Sequence, residues 1–292
     1  MAEFLQFVNW WMYPFTSITD LDARAVMLAT HADHFPHRSA RFLETAFTAI
    51  EQLFAGKLPG YLPCDLPYHN FLHTCETVVT LAHLLDGHLR RNSPPQLTGR
   101  DYELAVTAML LHDTGYLRTT HETFPGTGAR FTRTHVERSV ALANQLLPAW
   151  EFTAAEQETV RIAIRATAFP PKICVLPDAA PRETFLARAV ASADLIGQLA
   201  APDYPERLPL LFAEFKEAAT DTAEPMFGYH NVDDLRRQTR AFFEQTVLPL
   251  LENELGGVHH ALAHHFPDGV HHYLRAIETN LQRIQLASAP AR

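Results

Sequence analysis

The stretch that decides the fold is AMLLHDTGY, at residues 108–116. Its apolar half belongs to a helix predicted over 101–113, and Gly115 is expected to stop this helix. The helix then ends in a doublet, His112 and Asp113. Adjacent helical residues point about 100° apart, so the two side chains can serve two neighbouring centres. A carboxylate has two oxygens and can bridge two metal ions, which a single imidazole cannot do.

Helical periodicity dominates the rest of the chain. Residues 39–55 place apolar side chains at three- and four-residue spacing. Further helices are predicted at 71–90, 133–147, 154–168, 182–200, 205–220, 232–254 and 270–286. Thr153 with Glu156, and Asn231 with Asp234, have the spacing of helix N-terminal caps. Because no alternating strand pattern is found, we predict an all-α fold.

Proline-rich breaks suggest how the chain is organised. We predict an N-terminal helical extension at 1–64 that packs on a core at 65–220. The C-terminal helices, at 221–292, are expected to belong to the same structural unit. The segment LPGYLPCDLP, at 58–67, is predicted to be a loop, and an extended lid is the alternative.

The composition is that of an acidic, globular chain. Of 292 residues, 47% are hydrophobic and 20% are charged, which allows a sizeable core and argues against disorder. The net charge of −9 argues against a general nucleic-acid binder, because such proteins need a basic face.

The cysteines and the apolar runs bear on the compartment. Cys64, Cys75 and Cys174 form no CxxC pair, and their sparse, odd number is typical of a reducing cytoplasm. The N-terminus lacks a basic region, and no apolar run reaches the length of about 18 residues that a membrane span needs. We therefore expect a cytoplasmic protein without a signal peptide or a membrane span.

Three more motifs accompany the doublet. YHNFLHTCETV, at 68–78, places His69 and His73 four residues apart, so that both can share one face at the start of a helix. GTGARFTRTHVERS has His135 early in a predicted helix. ASADLIGQ has Asp194 within an apolar helix, where an unpaired carboxylate would be strongly destabilising.

In this order the pattern H…HD…H…D resembles the HD superfamily of metal-dependent phosphohydrolases. The YHNxxH spelling is closer to the cyclic-nucleotide phosphodiesterase branch than to HD proteins at large, and the resemblance covers residues 65–220. It implies a compact helical bundle with the site at its centre. The residues that it implies as ligands of a tight divalent ion are His73, His112, Asp113 and Asp194. A second, weaker ion would lie between Asp113 and His135, and His69 would be the general acid.

The resemblance implies hydrolysis of a phosphate mono- or diester, above all of a nucleotide, by a metal-bound hydroxide. Divalent cations such as Mn²⁺, Mg²⁺, Zn²⁺ or Fe²⁺ neutralise the ester oxygens and lower the pKa of water from about 15.7 toward about 7. Asp113 and His69 are the expected catalytic residues, and a small phosphate ester is the expected partner. The sequence is also compatible with a homo-oligomer and does not give the oligomeric state.

The second metal position separates this function from an alternative. No histidine lies between His135 and Asp194, and Thr167 stands where HD-type di-iron oxygenases place another one. This pattern favours hydrolysis with a hard ion such as Mg²⁺ or Mn²⁺. A di-iron oxygenase, with a histidine such as His121 completing the second site, is one alternative. A non-catalytic, ligand-binding HD protein is the other.

Several further features have a functional and a structural interpretation. The GTG at 126–128 could cradle a phosphate, but an ordinary turn is favoured. Basic residues that could contact phosphate, but are expected to be surface charges, are Arg130, Arg133, Arg165 and Lys172. The paired histidines near the C-terminus have no acidic or cysteine partner at fixed spacing and are predicted to be surface residues. They are His259/His260, His264/His265 and His271/His272.

The glutamine that clamps the purine in cyclic-nucleotide phosphodiesterases has no secure equivalent. Gln198 is too close to Asp194 to be that residue. Cyclic nucleotides are therefore only one candidate among phosphate esters.

Overall fold

The computed structural model describes residues 13–14, 16–169, 181–220 and 225–288. The residues Lys172 and Cys174 lie outside these ranges, as does most of the proline-rich break at 170–181. The α-helices of the described residues are α1 (Asp20–His34), α2 (Arg41–Phe54), α3 (Phe71–Arg91), α4 (Gly99–Leu111), α5 (His135–Ala149), α6 (Ala154–Ala166), α7 (Pro181–Ala200), α8 (Tyr204–Ala218), α9 (Val232–Phe242), α10 (Leu248–Glu252), α11 (Leu262–His265) and α12 (His272–Ser288).

Short helical turns complete the connections. A π-helical turn, Phe243–Val247, joins α9 to α10, so the helix predicted at 232–254 is continuous with a local change of winding. The 3₁₀ turns are Thr114–Tyr116, Gly128–Phe131, Met226–Gly228 and Val258–Ala261.

The all-α prediction is confirmed. No strand occurs in the described residues, where the only extended pairing is an isolated bridge between Tyr61 and Thr119. No described helix combines the length and the apolar character that crossing a membrane requires. The helix α4 ends at Leu111, so His112 is its C-terminal cap and Asp113 already lies outside it.

The predicted caps are present, with one difference. Thr153 and Glu156 form a capping box at the start of α6. The Asn231 side chain accepts a hydrogen bond from the Asp234 N–H. In a capping box the Asp234 carboxylate would accept a hydrogen bond from the N–H of the cap residue, Asn231. Here it accepts instead from the N–H of the preceding residue, His230, at 3.2 Å.

The helix α3 lies at the centre of the fold. All of its residues from His73 to His88 are buried, which is the pattern of a helix surrounded by other helices. It packs against α1, α4, α7 and α11. One hydrophobic core contains side chains from Tyr13 to Ile284, and thus includes all three predicted segments of the chain.

The loop 58–67 is tied to the segment that follows Tyr116. The Leu62 N–H donates to the Arg118 carbonyl oxygen at 2.9 Å, and the Asp65 carboxylate lies 2.6 Å from the Arg118 guanidinium. These contacts fit the prediction of a loop, and this loop packs on the segment after Tyr116.

A buried ion pair links α8 to α3 and to the loop before it. The Arg207 guanidinium lies 2.8 Å from the Glu76 carboxylate, and both side chains are at least nine-tenths buried. Arg207 also donates to the Tyr68 carbonyl oxygen at 3.3 Å and stacks over the Tyr68 ring. Because Tyr68 precedes His69, this pair fixes the entrance of α3.

Replacement of Arg207 by leucine should lower the free energy of unfolding by about 3–5 kcal/mol, because Glu76 would remain buried without its counter-charge. The double variant Glu76→Gln/Arg207→Leu should recover part of this loss. As a control, Arg236→Leu removes the half-exposed ion pair with Asp233 and should cost about 0–1 kcal/mol. Urea denaturation measures all three, and equal losses for Arg207→Leu and Arg236→Leu would contradict the prediction.

Candidate metal centre

Side chains from three buried helices converge at the centre of the bundle. His73 comes from α3, His112 from the end of α4, and Asp194 from α7, and their potential ligand atoms lie within 4.8 Å of one another. His73 Nε2 and His112 Nε2 lie 3.6 and 3.5 Å from Asp194 Oδ1. Ligand atoms around a tetrahedral ion with bonds of about 2.1 Å are about 3.4 Å apart. These three residues can therefore hold a metal ion.

The two oxygens of Asp113 face different partners. Its Oδ2 lies 3.4 Å from His73 Nε2 and 3.3 Å from His112 Nε2. Its Oδ1 lies 3.6 Å from His135 Nε2, at the start of α5. The structure thus brings all five predicted ligands together and places Asp113 between two groups of imidazole nitrogens.

Backbone carbonyls set the orientation of two imidazoles. His112 Nδ1–H donates to the Met109 carbonyl oxygen at 2.7 Å, and His135 Nδ1–H donates to the Thr132 carbonyl oxygen at 2.8 Å. With the proton on Nδ1, the Nε2 lone pair of each ring points toward the carboxylates. This is the usual arrangement of metal-ligating histidines.

The charges of the cluster favour a cation at its centre. Burial alone would raise the pKa of Asp113, but His112 and the other nearby imidazoles lower it well below the ordinary value. The pKa of Asp194 falls to about 2 despite its burial, chiefly through His112. Conversely, burial would lower the pKa of His112, but Asp113 and Asp194 raise it well above the ordinary value. Two ionised carboxylates therefore hold positive charge between them.

Unsatisfied polar atoms support the same conclusion. His112 Nε2 and Asp113 Oδ2 are buried and have no hydrogen-bond partner among the described residues. Buried polar atoms without a partner are rare and unfavourable. The nitrogen and oxygen atoms that face one another here are suitable ligands for a divalent transition-metal ion such as Mn²⁺.

The turn after α4 is held by the first residues of α5. Ser139 Oγ–H donates to the His112 carbonyl oxygen at 2.5 Å and accepts from the Gly115 N–H at 2.8 Å. A Cβ atom on Gly115 would lie 1.8 Å from the His135 carbonyl oxygen. The glycine is thus required for close approach of two backbone segments. Its expected role as the residue that stops α4 is wrong, because α4 already ends at Leu111. Arg138 adds a hydrogen bond to the Gly115 carbonyl oxygen.

His69 lies beside the cluster but has a different partner. Its Nδ1–H donates to Glu214 Oε2 on α8 at 2.5 Å, and Glu214 also accepts the Tyr68 N–H. Asn70 caps α3 through the Leu72 and His73 N–H groups, so the His69 ring is not needed as a cap. Burial would lower the pKa of His69, but the charge of Glu214 and its hydrogen bond raise it above the ordinary 6.5.

Two residues of the site, Glu214 and Tyr116, were not predicted from the sequence. Glu214 lies in the stretch AEFKEA, at 213–218, and only the fold brings it to His69. The Tyr116 ring stacks between two imidazoles, with centroids 4.8 Å from His69 and 4.3 Å from His135. Its place in the motif AMLLHDTGY was the only available signal.

A cavity of about 570 Å³ opens from the cluster. The polar residues at its inner end are His69, His73, Asp113, His135 and Asp194. The phenylalanines and tyrosines that line it are Tyr116, Phe169, Tyr204, Phe215, Phe227, Tyr229 and Phe242. Thr167 also lines the cavity, at the position where the sequence lacks another histidine. His121 is exposed and is not among the described lining residues.

The arginines that could contact phosphate, but were expected to be surface charges, differ in their positions. Arg133 and Arg165 line the cavity, whereas Arg130 stacks on the Phe124 ring. In the GTG loop, the Thr127 N–H donates to Glu217 and the Gly128 N–H donates to Asp65. Those N–H groups are already satisfied by carboxylates, so the favoured interpretation of an ordinary turn fits the structure.

The prediction of surface histidines near the C-terminus is wrong for His259 and His265, and His271 and His272 are only partly exposed. His272 also has an acidic partner at helical spacing, since Asp268, four residues earlier, lies 2.8 Å away. His265 is largely buried and lies 2.7 Å from the Asp86 carboxylate on α3. His259 is fully buried, with the Glu252 carboxylate 3.5 Å away. The sequence spacing did not indicate these two partners. Asp86 lies far from His265 in the chain, and the chain reverses its direction between Glu252 and His259.

The family model Npun_R2479-like matches residues 119–264, which is half of the chain. The matched range includes His135 and Asp194 and begins after His73, His112 and Asp113. No curated protein matches the chain.

Replacing His112 or Asp194 by alanine should remove the tightly bound metal, because each supplies a ligand that the other two residues of the group cannot replace. Elemental analysis of purified protein measures the metal content. The matched control is His31→Ala, because His31 is equally buried but lies outside the cavity. It should keep its metal even if its stability falls. Full metal retention in both ligand variants would refute the assignment.

Proposed function

We propose that this chain, which belongs to the Npun_R2479-like family, is an HD-type metal-dependent phosphohydrolase that cleaves a phosphate mono- or diester. One observation carries the proposal. Asp113 lies between the imidazoles of His73 and His112 on one side and that of His135 on the other, beside a His69–Glu214 pair. A carboxylate that two ions could share, next to an imidazole that can donate a proton, would suit phosphate ester hydrolysis.

Two groups of residues would hold the ions. The first consists of His73, His112, Asp113 and Asp194, and the second of Asp113 and His135. Divalent ions bound there would neutralise the phosphate oxygens and lower the pKa of a coordinated water. With only two protein ligands in the second group, water would complete it, which suits Mn²⁺ or Mg²⁺.

His69 supplies the proton for the leaving group. Its Nδ1–H is engaged by Glu214, so the protonated ring presents Nε2–H as its remaining donor, and the residue lines the cavity. The negative charge of Glu214 keeps the ring protonated at a higher pH than an isolated histidine would be. As the bond from phosphorus to the leaving oxygen breaks, this proton passes to that oxygen. Glu214 remains ionised and is a positioning residue.

The cavity walls indicate the substrate class. The rings of Phe215 and Tyr229 are nearly parallel, with centroids 6.3 Å apart, and Phe227 approaches Phe215 at 5.0 Å. Such a surface favours an aromatic group, including a nucleobase, through stacking and apolar contact. Arg133 also lines the cavity and adds positive charge for an anionic ester, whereas the charge of Arg165 is balanced by Glu137, 3.0 Å away. A nucleotide combines both features.

Phosphate ester hydrolysis should proceed without oxygen. Protein loaded with Mn²⁺ or Mg²⁺ should hydrolyse bis(p-nitrophenyl) phosphate under anaerobic conditions and prefer it to methyl p-nitrophenyl phosphate, because only the former offers a second aromatic group. Release of p-nitrophenolate measures both reactions. The Phe227→Ala variant should lose this preference through a higher KM. Turnover that requires iron and consumes O₂ would instead favour the oxygenase.

Removal of His69 should separate acid catalysis from metal binding. His69→Ala should keep its metal and lose about 10²–10⁴-fold in kcat on an alkyl ester, because the poor leaving group needs a proton. On a p-nitrophenyl ester the loss should be much smaller. His73→Ala should lose metal and activity on both esters. Metal loss in His69→Ala equal to that in His73→Ala would make His69 a ligand.

The pH profile provides the control for this assignment. Activity on the alkyl ester should fall as pH rises through the pKa of His69. Since Glu214 raises that pKa, Glu214→Gln should shift the alkaline limb to lower pH. Glu217→Gln changes a carboxylate on the same helix that binds the Thr127 loop instead, and should leave the limb in place. An unchanged limb in Glu214→Gln would argue against His69 as the acid.

A further inference from the structure

A second group of potential ligands lies at the C-terminal end of α10. Glu252 is the last residue of α10, and Gly256 and Gly257 follow it with left-handed backbone angles, at φ 63° and 67°. The Gly257 N–H donates back to the Leu251 carbonyl oxygen at 2.9 Å. This reversal brings the next 3₁₀ turn, Val258–Ala261, alongside the helix end.

The reversal places two imidazoles against one carboxylate. Glu252 Oε2 lies 3.1 Å from His260 Nε2, and Glu252 Oε1 lies 3.5 Å from His259 Nε2. All three ligand atoms lie within 4.8 Å of one another. The two imidazoles thus face different oxygens of one carboxylate. For zinc bonds of about 2.0–2.1 Å, tetrahedral ligand atoms are about 3.3 Å apart, which is close to each of these two separations.

His259 is a buried side chain whose polar atoms have no other role. It is fully buried, and neither ring nitrogen has a hydrogen-bond partner among the described residues. By contrast, His271 Nε2–H donates to the His259 carbonyl oxygen, and His271 Nδ1 accepts from the Leu274 N–H. His271 is therefore satisfied, whereas a cation at His259 Nε2 would compensate an otherwise unfavourable buried imidazole.

The glycine turn leaves space for the ligands. A Cβ atom on Gly257 would lie 3.2 Å from His260 Cδ2 and 3.7 Å from Glu252 Oε2. A side chain at this position would therefore press against His260 and touch Glu252, in addition to requiring a strained backbone angle.

We propose that Glu252, His259 and His260 form a second metal site, separate from the central cluster and selective for a Zn²⁺-class ion. Two imidazole nitrogens and one carboxylate oxygen suit Zn²⁺ and its neighbours, whereas Mg²⁺ and Ca²⁺ require mainly oxygen ligands. The Glu252 and His260 side chains are 43% and 55% exposed, so an ion bound there would be accessible to solvent and would have room for a water ligand.

The site has a structural consequence and is independent of the proposed hydrolysis. None of its ligands is among the described residues that line the central cavity. The 3₁₀ turn that carries His259 packs on α3 and α7, the helices that supply His73 and Asp194. A bound ion would join this turn to the end of α10 and stabilise the folded state by mass action.

Zinc titration of the full-length chain tests the site. Equilibrium dialysis with metal analysis should show one Zn²⁺ fewer in His260→Ala and in Glu252→Gln than in the unaltered protein. Both side chains are about half exposed, so neither change should disturb the fold. The matched control is His264→Ala, an exposed histidine of the same region that belongs to neither ligand group. It should keep the full number of ions.

A thermal measurement distinguishes this site from the central one. Added Zn²⁺ should raise the Tm of the unaltered protein by an increment that is missing in His260→Ala, whereas added Mg²⁺ should not produce that increment. Phosphate ester turnover with Mn²⁺ should be the same in both proteins, so failure of the proposed function leaves this test intact. An unchanged zinc count in His260→Ala, or an equal loss in His264→Ala, would overturn the proposal.

Discussion

Two carboxylates buried beside two imidazoles are the constraint on which the rest of this structure depends. Asp113 and Asp194 are both nine-tenths or more buried, and their charges would be strongly unfavourable in an apolar core. His73 and His112 face both of them from different helices, so the charge is balanced only when α3, α4 and α7 pack in this arrangement. The polar centre therefore determines how the apolar helices are placed, and a cation at that centre would complete the balance.

The surroundings of the cluster keep each ligand in one orientation. The first turns of α5 hold the segment after α4 through Ser139 and Arg138, so the positions of His112 and His135 are not independent. Arg207 does the same for the entrance of α3, because it joins Glu76 to the Tyr68 carbonyl oxygen. In both places, side chains donate hydrogen bonds to backbone oxygens. These hydrogen bonds position the backbone next to the candidate ligands.

Much of the fold and of the candidate site could be predicted from the sequence, because the relevant signals are local. The apolar spacing of α2 and the capping pair Thr153 and Glu156 are each contained within one helix. The candidate ligands stand in short motifs whose order resembles a known pattern. The Glu214 partner of His69 could not be predicted, since 145 residues separate the two in sequence. Only helix packing brings them together.

The C-terminal histidines show that even partners close together in the sequence could be missed. Glu252 precedes His260 by only eight residues, yet the sequence predicted no acidic partner at a fixed spacing for the paired histidines. The spacing is not that of a helix, because two left-handed glycines reverse the chain between them. The pair Gly256 and Gly257, one residue before the histidines, was the local signal that could have indicated this reversal.

The stacking of Tyr116 links the two chemical roles that the proposal separates. Its ring lies between the proposed acid, His69, and the proposed ligand of the second ion, His135, and is nearly parallel to both. A rotation of either imidazole would require movement of the tyrosine, which is itself buried. His69 is further fixed by Glu214, and His135 by the Thr132 carbonyl oxygen. If His69 donates a proton and His135 binds an ion, as proposed, these contacts would keep the two groups at a constant separation, as joint action on one phosphate ester requires.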